Sequence, residues 1–233
     1  MSRRFFHLGL PLLAALLLAF LLRVFVADIF TVSHDCGEAT LLRGDRVWVS
    51  RWSHGLRLPL SRLWGCHRLG GSLPKRGDWM VFNSPELEAC ALPDTSRLCI
   101  GRVLAGPGDT IWLGNRGRVS PVRNYAEGCI WPVVVPGRNS YIRLKPWNRK
   151  LYERTLNRFE TPLDTSAYTE ICPFHRDYFW IATGHGQPMN DSRRFGLVPM
   201  EHMVGRASFV VYSAEGLRHI RWKRFFTPVD RKP

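Results

Sequence analysis

Residues 75–85 read KRGDWMVFNSP, a tight turn followed by an apolar run suited to a buried strand. Two further Gly-Asp pairs, Gly44-Asp45 and Gly108-Asp109, precede the runs RVWVSRW and TIWLG. Glycine and aspartate favour tight turns, and runs rich in β-branched and aromatic residues favour strands. Further strands are expected in LCIGRVLAG, WPVVVP, YFWIAT and ASFVVYS. The predicted fold class is therefore mostly β.

One segment departs from this pattern. Residues 146–159, PWNRKLYERTLNRF, place Tyr152, Leu156 and Phe159 at the spacing of one helical face. Pro146 suits the first turn of a helix, because an amide hydrogen there has no intrahelical partner. We expect one short helix here, within an insertion of about residues 114–177.

An apolar run near the N-terminus predicts a membrane anchor. Arg3 and Arg4 precede residues 5–22, which carry no formally charged side chain, and a spanning helix needs about 17–25 apolar residues. A cleaved signal peptide is the alternative, but the run continues through residues 24–26 without a small-residue cleavage site. The two arginines favour a cytoplasmic N-terminus. We expect a single-pass protein of the cytoplasmic (inner) membrane with its main domain extracytoplasmic.

The chain is strongly basic, with 33 Lys and Arg against 19 Asp and Glu, a net charge of +14. It shows neither zinc-finger spacing nor an aromatic-basic RNA-binding signature, so we expect no nucleic-acid partner. Basic residues cluster near the C-terminus, where a solvated surface and contact with anionic lipid both remain open. The expected organisation is residues 1–29 as cytoplasmic tip and anchor, 30–217 as the extracytoplasmic domain, and 218–233 as a basic tail.

Six cysteines suit an oxidising compartment. They are Cys36, Cys66, Cys90, Cys99, Cys129 and Cys172. Cys90 and Cys99 flank a Pro-Asp turn and are the first pairing expected, although pairings cannot be read from sequence alone. The chain has no Cys-x-x-Cys spacing, and we predict no metal and no cofactor.

Four motifs follow the apolar run: FTVSHDCGEATLLRGDRVWVSRW, KRGDWMVFNSP, RVLAGPGDTI and NDSRRFGLVPMEHMVGRA. In this order they resemble the signal peptidase I family of membrane-anchored serine endopeptidases. The resemblance implies a two-sheet β fold behind an N-terminal transmembrane helix, with a groove in which an extended substrate adds as a strand. It also implies removal of signal peptides from secreted preproteins at the outer face of the membrane, by a serine nucleophile and a buried, neutral lysine base.

The same resemblance places altered residues at the catalytic positions. Cys36 stands where the family has its serine nucleophile, His34 where a serine helps to form the oxyanion hole, and Gly101 where the family has its lysine base. A thiol can replace a hydroxyl as nucleophile, but glycine offers no proton acceptor. We expect a gap where the lysine side chain would lie.

The third family motif is altered as well. Met189 stands where a serine supports the lysine, whereas Asp191 and Arg193 are retained. His185 lies in this motif and is a speculative replacement base for Cys36, oriented by Asp191.

Two functions remain open. The first is a catalytically impaired signal peptidase I-like protein, a pseudoenzyme that binds extended signal peptides or preproteins at the membrane, or pairs with an active signal peptidase or the secretion machinery. The second is an active signal peptidase that uses Cys36 with His185 or His34, the latter sharing a face with Cys36 on an extended strand. Lys75 is expected to be solvated. Fold-making residues persist while chemistry-making residues are lost, which favours the first function.

Overall fold

The computed structural model describes residues 11–16, 27–33, 40–57, 68–86, 98–114, 118–126, 128–160, 171–183, 192–215 and 219–229. Its strands are β1 (Ala27–Thr31), β2 (Asp45–Ser50), β3 (Leu56–Arg57), β4 (Arg68–Leu69), β5 (Trp79–Asn83), β6 (Leu98–Ala105), β7 (Thr110–Leu113), β8 (Val119–Ser120), β9 (Trp131–Val134), β10 (Ser140–Arg143), β11 (Ile171–Phe174), β12 (Tyr178–Ala182), β13 (Val198–Pro199), β14 (Met203–Glu215), β15 (His219–Ile220) and β16 (Thr227–Pro228). Its helical segments are residues 11–16, the helices Arg149–Phe159 and Ser192–Phe195, and the 3-10 turns Met200–His202 and Trp222–Arg224.

One large antiparallel sheet organises the domain. Its strands follow the order β1-β2-β14-β5-β6-β12-β13, and β15 and β16 also pair with β14. Three small sheets accompany it: β10-β11, β3-β4 and β8-β7-β9. The mostly-β prediction is confirmed. Within the described ranges, one nine-stranded sheet and three small ones replace the two sheets that were expected.

Strand β5 lies near the centre of the sheet because both of its faces are apolar. Trp79 and Val81 point into one apolar cluster, while Met80 and Phe82 point into a second cluster on the opposite face. All five residues of the strand are buried. A strand covered on both faces has a continuous apolar sequence rather than an alternating one, which explains the run WMVFN.

The three Gly-Asp pairs form the same turn. In one of them Gly108 has a φ of 87°, and the Asp109 carboxylate accepts a 2.9 Å hydrogen bond from the amide of Gly106. Glycine is favoured there because it adopts positive φ without a steric penalty. The other two turns have the same bond, from Leu42 to Asp45 and from Lys75 to Asp78. The predicted turn-plus-strand units are therefore confirmed.

The predicted helix is also present, but it starts later than expected. It spans Arg149–Phe159, so Pro146 lies in the preceding turn and not in the first helical turn. The Asn148 side-chain oxygen accepts a 2.7 Å hydrogen bond from the Lys145 amide, which stabilises that turn. As predicted, Tyr152 and Leu156 face the core. The insertion boundaries remain predictions.

Little of the predicted anchor is described. Residues 11–16 are helical, and the rest of residues 1–26 lies outside the described ranges. In the part of the chain that is described, no helix is both long and apolar enough to cross a membrane.

Candidate active site

Buried residues lie on both sides of residues 34–39, the segment that carries Cys36. Val32 is 1% exposed before it, and Leu41 is fully buried after it. The amide of Val32 donates to the carbonyl of Asp45 at 2.8 Å, and the amide of Gly44 donates to the carbonyl of Val32 at 2.9 Å. Residues 34–39, which include the predicted site residues His34 and Cys36, lie outside the described ranges.

A buried ion pair holds the residues that follow this segment. Asp45 is fully buried, and Arg224 donates to its two carboxylate oxygens at 2.6 and 3.2 Å. The same guanidinium donates to the carbonyl of Thr40 at 2.8 Å. Arg221 adds a 3.0 Å hydrogen bond to the carbonyl of Arg43. Residues 219–229, hereafter the C-terminal segment, therefore hold residues 40–45, which follow the Cys36 segment.

At Gly101, the position predicted for the lysine base, another side chain fills the space beside the backbone. Gly101 lies in β6 and is buried. A β-carbon added there would lie 2.5 Å from Cγ2 of Ile181, 3.1 Å from the carbonyl oxygen of Ala182 and 3.4 Å from Cγ2 of Thr183. The expected gap is therefore absent, and that prediction is wrong. Glycine fits here because Ile181 fills the space into which a larger side chain would extend.

Ser192, in the motif NDSRRFGLVPMEHMVGRA, holds Ile181 in this position. The amide of Ile181 donates a 2.9 Å hydrogen bond to the hydroxyl of Ser192, and the bond is buried. Ser192 is 1% exposed and opens the short helix Ser192–Phe195. Arg193, a predicted site residue, is half-buried in this helix. Ser192 therefore contacts β12, the strand whose Ile181 fills the space beside Gly101.

Arg102, the residue after Gly101, has two guanidinium nitrogens without a hydrogen-bond partner. The Nε and Nη2 atoms of Arg102 are buried and have no hydrogen-bond partner. Arg102 lies opposite Trp79 across the β5–β6 pair. Buried N–H donors without an acceptor are costly, so these two nitrogens are candidates for contact with a bound polar group.

The remaining predictions about the site have mixed outcomes. His185, Met189 and Asp191 lie outside the described ranges, so their roles remain predictions. Lys75 is exposed at its turn, as expected.

Cys90 lies outside the described ranges, so its pairing with Cys99 remains a prediction. Cys172 is a buried free thiol whose pKa is raised by desolvation. No cluster of three or more histidine, cysteine or acidic side chains that could hold a metal occurs among the described residues.

A family model described as signal peptidase, peptidase S26, matches residues 5–126, which are 122 of the 233 residues. The chain belongs to the signal peptidase S26 family. The matched part of this S26 protein includes Cys36 and Gly101, and it ends before the motif NDSRRFGLVPMEHMVGRA. The resemblance inferred from the four motifs is confirmed.

Individual relatives share low sequence identity with this chain but match most of its length. Signal peptidase I of Rickettsia canadensis is 24% identical over 216 residues, covering 85% of this chain and 76% of the relative. That of Rickettsia typhi is 24% identical over 214 residues with the same coverage. The probable signal peptidase I-1 of Synechocystis sp. is 26% identical over 212 residues, covering 91% of this chain and 85% of the relative.

Sequence reasoning missed three residues of this region. Ile181 gave no signal beyond its place in a strand, because sequence does not show which residue lies beside Gly101. Ser192 was not assigned a role, although it lies between the retained Asp191 and Arg193. Arg224 was counted only as part of a basic cluster, and its ion pair with Asp45 joins distant parts of the chain.

Proposed function

We propose that this S26 protein binds extended segments of signal peptides or preproteins at the outer face of the membrane and has little or no peptidase activity. The observation that carries the proposal is the position of Ile181, whose Cγ2 atom lies 2.5 Å from the point where a β-carbon on residue 101 would sit. The nearest heavy atoms to that point belong to Ile181, Ala182 and Thr183. None of these residues has a side chain that accepts a proton near neutral pH, so none replaces the lysine base.

The loss of a base matters more than the exchange of the nucleophile. A thiol is more acidic than a hydroxyl and needs less help to ionise. A peptidase nevertheless needs a group that takes the proton and returns it to the leaving amine. Catalytic groups act as a unit, so the loss of one removes most of the rate enhancement.

The parts of the fold on which peptide binding would depend support the binding function. The three Gly-Asp turns are formed, strand β5 is buried on both faces, and the residues Val32 and Leu41 on either side of the Cys36 segment are buried. Peptide recognition by strand addition depends on main-chain hydrogen bonds and side-chain pockets, neither of which requires a lysine base. The unpartnered Nε and Nη2 atoms of Arg102 offer donors for a polar group of such a peptide.

The test measures cleavage and binding separately. The purified full chain in detergent is mixed with a fluorogenic signal-peptide substrate, beside Cys36→Ala and Cys36→Ser. Binding of the same peptide with a non-cleavable bond is followed by fluorescence anisotropy. We expect wild type and Cys36→Ala to show the same background cleavage and similar peptide affinity. Cys66→Ala, which changes a cysteine outside the four motifs, is the matched control.

Two outcomes would overturn the proposal. Cleavage that Cys36→Ala abolishes and Cys66→Ala retains would establish an active cysteine peptidase. In that case His185→Ala and His34→Ala would locate its base. Absence of both cleavage and peptide binding would remove the binding function.

A further inference from the structure

An arginine lies over two aromatic rings beside the small sheet β8-β7-β9. The guanidinium carbon of Arg123 is 5.2 Å from the ring centroid of Trp112 and 4.5 Å from that of Tyr125. Trp112 is on β7, opposite Ser120 on β8, and Arg123 and Tyr125 follow β8 in the chain. Arg123 is exposed, and Tyr125 is 67% exposed. The structure thus holds a guanidinium group at the surface by contacts with aromatic rings.

A second aromatic group with a cation adjoins the first. The rings of Trp131 on β9 and Trp147 have centroids 5.5 Å apart, and the ammonium nitrogen of Lys145 lies 4.9 Å from the centroid of Trp147. All three side chains are exposed. The indole N–H of Trp147 donates a 3.3 Å hydrogen bond to the carbonyl of Pro132, the residue opposite Trp112 across the β7–β9 pair. The two groups therefore meet at Pro132 and are hereafter called the aromatic–cationic surface.

The part of the chain that builds this surface carries half of the net charge of the protein. Residues 110–150 contain eight Lys and Arg and one acidic residue, Glu127, which gives +7 of the total +14 in 41 of the 233 residues. Association is favoured between surfaces of complementary charge. The surface therefore favours an anionic partner.

The surroundings of Arg123 leave its N–H groups available to such a partner. Its guanidinium group has no hydrogen-bond acceptor and no ion pair within the described part of the chain, where its contacts are the two rings. Guanidinium N–H groups form a planar fork that matches the two oxygens of a carboxylate. Because contact with the rings already restricts the side chain, less conformational freedom is lost when a carboxylate binds.

The residue types favour a protein as the partner. Tryptophan, tyrosine and arginine contribute most of the binding energy at protein–protein interfaces, and clustered arginines recognise acidic peptide motifs. Binding of single-stranded nucleic acid relies instead on bases that stack on aromatic rings. In this surface the protein's own cations already lie over the rings of Trp112, Tyr125 and Trp147.

We propose that the aromatic–cationic surface binds an acidic segment of a partner protein. Arg123 binds one carboxylate of that segment through two N–H groups, and Lys145 binds a second carboxylate. The inference does not depend on the proposed binding of signal peptides, because it uses none of the residues that support that function.

Fluorescence anisotropy with the full chain in detergent tests this proposal. The probe is a fluorescein-labelled peptide of alternating glutamate and serine, and the reference is the same labelled peptide with glutamine in place of glutamate. We expect only the glutamate peptide to bind, and added salt should weaken its binding because salt screens exposed charges. Neither peptide contains an apolar residue, so a negative result would overturn this proposal and leave signal-peptide binding to its own test.

Variants locate the contact on the surface. Arg123→Ala should lower the affinity for the glutamate peptide about tenfold, which is the effect of losing hydrogen bonds to a charged group. Arg123→Lys should recover little of this affinity, because an ammonium group lacks the planar fork. Tyr125→Ser should lower the affinity about threefold through the loss of one cation–π contact. The matched control is Arg158→Ala, at an exposed position of the Arg149–Phe159 helix, and it should bind as wild type does.

Three results would overturn the proposal. Equal binding of the glutamate and glutamine peptides would show that carboxylates are not recognised. Equal losses in Arg123→Ala and Arg158→Ala would show that the net charge alone attracts the peptide. A single-stranded oligothymidylate that binds more tightly than the glutamate peptide, and that loses affinity in Arg123→Ala, would assign the surface to nucleic acid.

Discussion

Cγ2 of Ile181 lies 2.5 Å from the point where a β-carbon on Gly101 would sit. Real β-carbons essentially never approach another heavy atom so closely, so a larger residue at position 101 and isoleucine at position 181 exclude each other without a local shift. Interiors are close-packed and adjust only at a cost. Glycine at position 101 and the packing of Ile181 on β12 therefore depend on each other.

The first prediction tests this exclusion by a double-mutant cycle. Gly101→Ala should destabilise the protein by about 1–3 kcal/mol through overpacking, and Ile181→Ala should cost about 2–5 kcal/mol through the cavity it creates. The double variant should be more stable than the sum of the two costs predicts, because the new methyl enters the vacated space. Urea unfolding gives all three free energies.

A matched glycine provides the control for this cycle. A β-carbon at Gly106 would meet its nearest neighbour, a ring carbon of Phe179, at an ordinary 3.5 Å. Gly106→Ala should therefore cost much less than Gly101→Ala. Equal costs, or strict additivity in the cycle, would contradict the exclusion.

The second prediction concerns the buried hydroxyl of Ser192. Ser192→Ala leaves the Ile181 amide without its acceptor, and an unsatisfied buried donor costs about 1–3 kcal/mol. Ser120→Ala is the control, because its hydroxyl accepts an exposed hydrogen bond from Val122. The two variants are compared by thermal unfolding. A loss at Ser192 no larger than that at Ser120 would argue against this role.

The third prediction concerns the ion pair between Asp45 and Arg224. Arg224→Ala leaves a fully buried carboxylate without its cation, and we expect a loss of about 3 kcal/mol, at the low end for a buried pair because the arginine keeps partial exposure. Arg221→Ala removes a more exposed pair with Glu215, which should cost at most about 1 kcal/mol. Denaturant unfolding compares the two. Similar losses would mean that the Asp45 contact contributes no special stability.

Local chemistry made the turns, the strands and the insertion helix predictable. A Gly-Asp pair carries its own turn geometry, and Tyr152 and Leu156 repeat at the helical period. The first residue of the helix was harder to predict, because the hydrogen bond between Asn148 and Lys145 places it three residues after Pro146.

The Gly101 site was not predictable for a different reason. Gly101 and Ile181 lie on neighbouring strands that are far apart in the chain, and sequence alone does not say which side chain fills a vacated space. The same limit applies to Asp45 and Arg224, which are 179 residues apart in the chain and meet only in the folded structure. The motifs yield predictions of the site residues, but they do not show what surrounds a residue such as Gly101 in the fold.

A buried histidine outside the site gives a pH-dependent prediction. His54 is 5% exposed, its Nδ1 atom hydrogen-bonds the carbonyl of Ser72 at 3.0 Å, and its Nε2 atom lies 3.9 Å from Asp78. Desolvation lowers the pKa of His54 below its usual 6.5, and the nearby Arg206 and Arg68 lower it further, against the opposing influence of Ser72 and Asp78.

The sign of the effect on stability follows from this direction. Because the pKa is lower in the folded state, the unfolded chain binds more protons as the pH falls through 6.5, so stability contributed by neutral His54 is present above that pH and is lost below it. We expect wild type to lose more unfolding free energy than His54→Gln between about pH 7.5 and about pH 5. Urea unfolding at both values measures this loss. His219→Gln, which changes an exposed histidine, should behave as wild type, and an equal acid-induced loss in His54→Gln and wild type would assign the effect to other groups.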